Sequence, residues 1–323
     1  MKRRSVISIA GGVTLGLGLP VLGQTVANPH RIGVLSSLLT RESFILLPAK
    51  LSELGYREGR DYVLEFRYTR NQAALRSEMA ADLVASKVHL VIAIAASDVV
   101  AARRATDTVP IIMYAIPAPA EMGYVASLSK PGGNVTGTAA QPPEIAAKIL
   151  QVLRDIAPRS SKVALLADPD TGAMLQYIRE TERAASGLKV RLTHWPARTA
   201  ADLDIAFSSM VRAPPEALYV ALLGFAGGIQ RAIEFAARQR LPAIYVLRAH
   251  VEMGGLVCYT HDRDALARRT AAVIDRVLQG AKPADIPVEQ PDKYELVINM
   301  KTAKAMGLKI PQSVLLQATE VIE

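Results

Sequence analysis

The chain is poor in the residue types that most often carry chemistry. Cys258 is its only cysteine, which excludes an internal disulfide and any CxxC metal or redox pair. Its five histidines, His30, His89, His194, His250 and His261, have no metal-ligand spacing such as HExxH. There is no GxSxG elbow, no P-loop and no GxGxxG fingerprint; the pairs Gly227-Gly228 and Gly254-Gly255 stand alone. Trp195 is the single tryptophan and aromatics make up 5% of the 323 residues, a thin supply for a sugar site, which stacks several rings on pyranose faces. The formal charge of +8 is scattered among acids, with no dense Lys/Arg block. That pattern reads as a solvated surface and not as a nucleic-acid footprint. These absences disfavour an enzyme and predict neither metal nor cofactor. Cys258 is the one candidate nucleophile left, and burial at a strand end is its simpler role.

What is present begins at the N-terminus. Lys2, Arg3 and Arg4 precede an apolar, glycine-containing stretch from Val6 to Leu22, followed by small residues at Gly23 or Ala27. This is the layout of a secretory signal peptide over residues 1–27. The stretch is broken by Gly11, Gly12, Gly16, Gly18 and Pro20, and a spanning helix needs roughly 20 apolar residues. The Arg3-Arg4 pair leaves both the general and the twin-arginine export routes open. Removal of this segment lowers the formal charge to +5 and leaves no lipobox cysteine. The expected product is a water-soluble periplasmic monomer.

The remaining length alternates short β-rich apolar runs with helical stripes. Strands are predicted at 31–35, 62–68, 89–95 and 110–114, and helices at 41–54, 72–86 and 97–106. The pattern then restarts. Helices fall at 143–156, 172–186, 199–211 and 228–239; strands fall at 162–167, 189–193, 217–223, 241–246 and 255–259. A long helix over 262–279, a strand at 295–299, a helix at 300–306 and a segment at 311–322 complete the chain. Repeated βα units imply parallel sheets with helices on both faces. The fold expected is α/β, with two Rossmann-like lobes joined by crossover strands. Residues 28–138 are assigned to the N-terminal lobe, to which part of 262–323 returns. Residues 139–258 form the C-terminal lobe, and 259–323 the crossover and closing helices.

In open parallel sheets ligands bind beyond the carboxyl ends of strands, where helix N-termini offer free N–H groups and a positive dipole. Candidates on the first rim are Ser36, Ser37, Ala96, Ser97, Asp98, Tyr114 and Pro117. On the second rim they are Asp168, Asp170, Thr171, Gly224, Phe225, Arg248 and Tyr259. Each Ser, Thr or Asp among them is also an ordinary helix N-cap type.

Several stretches carry a resemblance: LGYREG (54–59), VASLSKPGGNVTG (125–137), LPAIY (241–245), GAKPADIPVEQPDKYELVIN (280–299), KTAKAMGL (301–308) and EVIE (320–323). Together they resemble ABC-transporter substrate-binding proteins of the type I periplasmic-binding fold. The resemblance implies a receptor that delivers a small, often amino-acid-like ligand to an inner-membrane ABC permease. Departures fall in the supposed pocket. Ala95-Ala96-Ser97 stands where relatives have a Gly-Gly-Thr turn, Pro117-Ala118-Pro119 where they have Gly-Asp-Pro, and Cys258-Tyr259 where they have Ser-Tyr. The expected ligand is a small carboxylate held by Ser97 and neighbouring amides, with Asp98, Asp168 or Asp170 meeting an ammonium group. Arg248 is a second anion-binding candidate, and Tyr114, Phe225 and Tyr259 are expected to pack on the side chain. A sensory module acting on a membrane sensor is the alternative reading.

Overall fold

The computed structural model describes residues 28–323 apart from 38, 71, 141, 143, 170, 171 and 223–226, and only the backbone of 172 and 173. The signal segment expected over 1–27 lies outside the described residues. The first half contains β1 (His30–Ser36), α1 (Leu46–Glu53), β2 (Tyr62–Tyr68), α2 (Ala73–Ala85), β3 (Leu90–Ala93), α3 (Ala96–Ala105), β4 (Ile111–Ile116) and β5 (Val135–Ala139). Its sheet runs β2-β1-β3-β4-β5 with every neighbouring pair parallel. Strand β3 shows why its sequence does not alternate in polarity. Leu90 and Ile92 enter a cluster on one face, Val91 and Ala93 a cluster on the other, and all four are buried.

The second half contains α4 (Ile145–Ile156), β6 (Lys162–Ala167), α5 (Gly172–Gly187), β7 (Arg191–Pro196), α6 (Ala200–Arg212), β8 (Ala217–Ala221), α7 (Gly228–Gln239), β9 (Ala243–Tyr245), α8 (Arg248–Glu252) and β10 (Val257–His261). The tail follows with α9 (Arg263–Leu278), a 3-10 turn at Pro283–Asp285, β11 (Tyr294–Asn299), α10 (Met300–Met306), α11 (Gln312–Leu315) and β12 (Glu320–Ile322). The second sheet is ordered β12-β11-β10-β9-β8-β6-β7. Its β10–β11 pair is antiparallel and its other pairs are parallel. The α4 stripe of Ile149, Val152, Leu153 and Ile156 is buried against one face of this sheet.

The chain passes between the two sheets more than once. It leaves the first after β5, entering α4 on the second. It leaves the second after β10, because Ala271, Val273 and Ile274 of α9 pack with Ile32, Val34 and Ile112 of the first sheet. It returns between Val288, buried among first-sheet residues, and β11. These passages are tied together by backbone bonds: Ala139 N–H to Glu289 O at 2.8 Å, Glu289 N–H to Gly137 O at 2.9 Å, and Asp262 N–H to Lys293 O at 3.0 Å.

Two local readings change. The strand expected at 189–193 begins at Arg191. The turn that ends α5 uses Lys189 at φ 56° and closes with Val190 N–H to Ala185 O at 2.9 Å, so the strand starts later. Trp195, expected in a turn, lies in β7, where Pro196 is tolerated because β7 is the sheet's edge.

Candidate binding cleft

The first rim is held by a polar knot beneath α3. Ser36 Oγ donates to Leu39 O at 2.7 Å and accepts from Leu39 N–H at 2.8 Å. Ser37 N–H donates to Asp98 Oδ2 at 3.0 Å, and its hydroxyl donates to Asp98 Oδ1. The same hydroxyl accepts from Arg76 Nε at 3.0 Å and lies 2.9 Å from Thr69 Oγ1. A serine hydroxyl has one proton and two lone pairs, and this one uses all three. Asp98 also accepts from Ala95 N–H at 2.9 Å and pairs with Arg76 Nε at 3.3 Å. Its two oxygens therefore accept three hydrogen bonds and face the Arg76 charge. Burial raises the Asp98 pKa, while its bonds to Ser37 and the Arg76 charge lower it.

Three expectations are corrected by this knot. The Ser37 hydroxyl has no hydrogen-bonding capacity left for a ligand, and the fully buried Ser36 hydroxyl is turned back onto Leu39 of its own loop. Asp98 is fully buried and already paired with the Arg76 cation, so it does not face an ammonium group. What remains is the start of α3 itself. The N–H groups of Ala96 and Ser97 belong to the first turn, which has no intrahelical acceptors. The half-buried Ser97 hydroxyl has no hydrogen-bond partner among the described residues. Arg76, which holds the knot, was not identified from sequence because its contacts come from residues 22 and 39 positions away.

Beside this edge the end of β4 is irregular. The β4–β5 register shifts between Met113 and Ile116, and Ala115 sits at φ 60° and Ala118 at φ 44°. Left-handed alanines are strained and are found where the fold needs to re-aim a segment. Tyr114 lies at this bulge, its ring edge-on to Phe44 at 6.2 Å, with Phe44 in turn 5.6 Å from Phe66. Burial pushes the Tyr114 hydroxyl up to about 12, and it has no hydrogen-bond partner among the described residues. Pro117 is half-buried in the same loop.

On the second rim Asp168 stands 3.8 Å from Arg198 Nε. Asp170, Thr171, Gly224 and Phe225 lie outside the described residues. Arg248 is spoken for: it meets Glu252 at 2.8 Å, Glu295 at 3.3 Å and Glu320 at 2.6 Å. The expectation of a free anion-binding arginine there is corrected to an ion-pair hub linking α8, β11 and β12. Tyr259 stacks on Tyr294 with centroids 5.7 Å apart and planes within 10°, and Lys148 Nζ lies 5.9 Å from the Tyr259 centroid. Cys258 is wholly buried and its thiol is pushed up to about 12 by burial, which leaves no thiolate at neutral pH. Among the described residues no group of three or more His, Cys, Asp or Glu side chains is placed to hold a metal ion.

A gap of about 430 Å³ is lined by Glu121 and Met122 on one side and by Leu175, Gln176, Arg179, Glu180 and Arg183 on the other. The first pair belongs to the connection that follows β4, and the others form one face of α5, which follows β6. Both walls thus come from segments beyond strand carboxyl ends. A recess of equal volume, lined by Gln151, Arg154, Pro158 and Pro311 among others, lies beside the amino end of β6, away from those ends. The cleft walls were not found from sequence. The repeat of Leu175, Arg179 and Arg183 one helical turn apart is the signal that marks the face.

Two buried histidines make stability depend on pH. His250 and His261 each have an Nδ1 with no hydrogen-bond partner, and burial holds both at about 4, below the ordinary 6.5. The unfolded chain protonates near pH 6.5 while the folded chain resists until about 4. Their contribution is therefore intact above pH 6.5 and is lost as pH falls toward 4. Asp98 and Glu295, whose carboxyls burial raises, act in the opposite sense at the acid end. Urea midpoints at pH 7.5 and 4.5 are expected to differ by about 2–4 kcal/mol of stability. His250→Phe, which keeps an aromatic ring facing Tyr245, is expected to flatten the profile; an unaltered slope would refute the assignment.

Comparison with known proteins agrees with this architecture. The family model described as ABC transporter substrate binding protein matches residues 47–322. A tyrosine-binding protein of Clostridioides difficile (strain R20291) is 27% identical over 260 residues, covering 80% of this chain and 74% of that protein. The crystal structure of an ABC domain in complex with L-Trp, from Streptococcus pneumonia, superposes with a TM-score of 0.82 at 28% identity, over 91% of this chain and 100% of that one. A leucine-binding protein of Thermotoga maritima shares the fold at 14% identity, with a TM-score of 0.56 over 80% of this chain and 78% of that one. With two helix-flanked sheets between which it passes more than once, the chain belongs to the ABC transporter substrate-binding protein family, in the type I periplasmic-binding fold.

Proposed function

We propose that the chain is an exported receptor that captures an amino-acid-like solute by its carboxylate and passes it to an ABC permease. The observation that carries the reading is the start of α3. Two first-turn amides and the Ser97 hydroxyl have no partner among the described residues, while the neighbouring Ser37 and Asp98 side chains are bonded to each other and to Arg76. Such a helix end suits a carboxylate. The aromatic corner of Tyr114, Phe44 and Phe66 supports an apolar or aromatic side chain. Relatives that bind tyrosine and L-Trp are in keeping with this choice. Family membership supports permease delivery, and the signal-like residues 1–27 support export. The linked passages between the sheets would serve as the hinge of closure. No step of chemistry is assigned to the protein.

Calorimetry of the mature protein with the twenty L-amino acids tests the proposal. Binding is expected for aromatic members, and conversion of the ligand carboxylate to an amide is expected to weaken it at least about thirtyfold, as loss of a charge-assisted contact would. Silence across the whole panel would end the amino-acid reading.

A further inference from the structure

We infer that Arg76 is a positioning residue that keeps the start of α3 attractive to anions by neutralising Asp98 from behind. The inference rests on the reading above, that a carboxylate docks at this helix end. Asp98 is the third residue of α3 and is 0% exposed. A bare negative charge there would cancel the partial positive charge of the helix N-terminus. The groups packed on it are Ser37 after β1, Ala95 before α3, and Arg76 of α2; Thr69 after β2 completes the knot through Ser37. The nearby Tyr124 hydroxyl is turned to Ala96 O at 3.4 Å. Arg76 is the charged member of this set, 3.3 Å from Asp98 Oδ1 and 12% exposed. It also fixes the Ser37 hydroxyl at 3.0 Å, and with it the loop that borders the helix end. The pair is thus electrically neutral, and the amides of Ala96 and Ser97 act on a ligand with their full partial charge.

A charge ladder tests this with L-tyrosine, L-tryptophan and L-phenylalanine as probes and their amides as uncharged controls. Arg76→Met leaves the site one charge more negative, Asp98→Asn one more positive, and the double variant neutral again. Carboxylate affinity is expected to fall about tenfold in the first, rise about tenfold in the second and return near wild type in the double, while the amides respond little. A purely structural role predicts that all three variants weaken binding of acids and amides alike. Because Asp98→Asn is expected to tighten binding, a poorly folding Arg76→Met protein does not rescue a failed inference. If wild type binds the acids but Asp98→Asn does not bind them more tightly, the inference is overturned and the functional reading stands. If wild type binds none of the panel, the functional reading falls and the inference falls with it.

Discussion

Gly137→Ala is expected to lower the melting temperature by about 10 °C, corresponding to a loss of about 3–5 kcal/mol. Gly137 lies in the middle of β5 at φ 131°, a region closed to other residues. A Cβ there would meet the Met113 backbone nitrogen at 2.5 Å and its Cα at 2.9 Å, and would press on its carbonyl oxygen as well. These are backbone atoms of β4, so no side-chain rotation relieves the clash and the two strands must part. The damage would spread to the neighbouring passages between the sheets. Thr138 Oγ1 lies 2.9 Å from Thr270 Oγ1 of α9 and accepts from Ala115 N–H at 3.2 Å, and Ala139 pairs with Glu289. Gly133→Ala is the control, because a Cβ there meets nothing within 4 Å, and its effect should stay within about 0.5 kcal/mol. Thermal melts of both variants decide the matter; equal melting temperatures would show that the β4–β5 contact yields more easily than its geometry implies.

Ser97→Asp is expected to leave the fold intact and abolish capture, raising Kd at least about a hundredfold. The two effects have opposite signs at one position. Ser97 is the second residue of α3, where a carboxylate interacts favourably with the helix dipole, worth about 0.3–1 kcal/mol. The same carboxylate would stand where the ligand's own is proposed to bind. Like charges about 4 Å apart cost about 4 kcal/mol at an effective dielectric near 20. A melting temperature equal to or above wild type, together with lost binding in calorimetry, is the expected pair of results. Retained affinity in a folded Ser97→Asp protein would move the carboxylate away from α3.

The element pattern was largely legible because it is local. The apolar run at 89–95 and the stripe of α4 each specify burial on particular faces, whatever the rest of the chain does. Short pieces were harder. Helix α8 spans only Arg248 to Glu252, too few residues for a 3.6-residue period to show. In the sequence its first arginine reads as a loop residue after β9. The rim candidates were chosen by residue type and position after strands, which cannot distinguish a hydroxyl that is free from one already bonded. Ser37 and Ser97 look equivalent on that basis, yet one has every bond filled and the other has none among the described residues.

By itself the sequence determined the order of the longer strands and helices, the α/β class and the family, since periodicity and motif depend on neighbours along the chain. Tertiary structure alone decided which polar groups stayed available. Arg76 and Ser37 reach Asp98, and Glu252, Glu295 and Glu320 reach Arg248, from four to 72 positions away. Hydrogen-bonding capacity is finite, so partners brought together by folding use it up, and a binding site forms from the groups that are left.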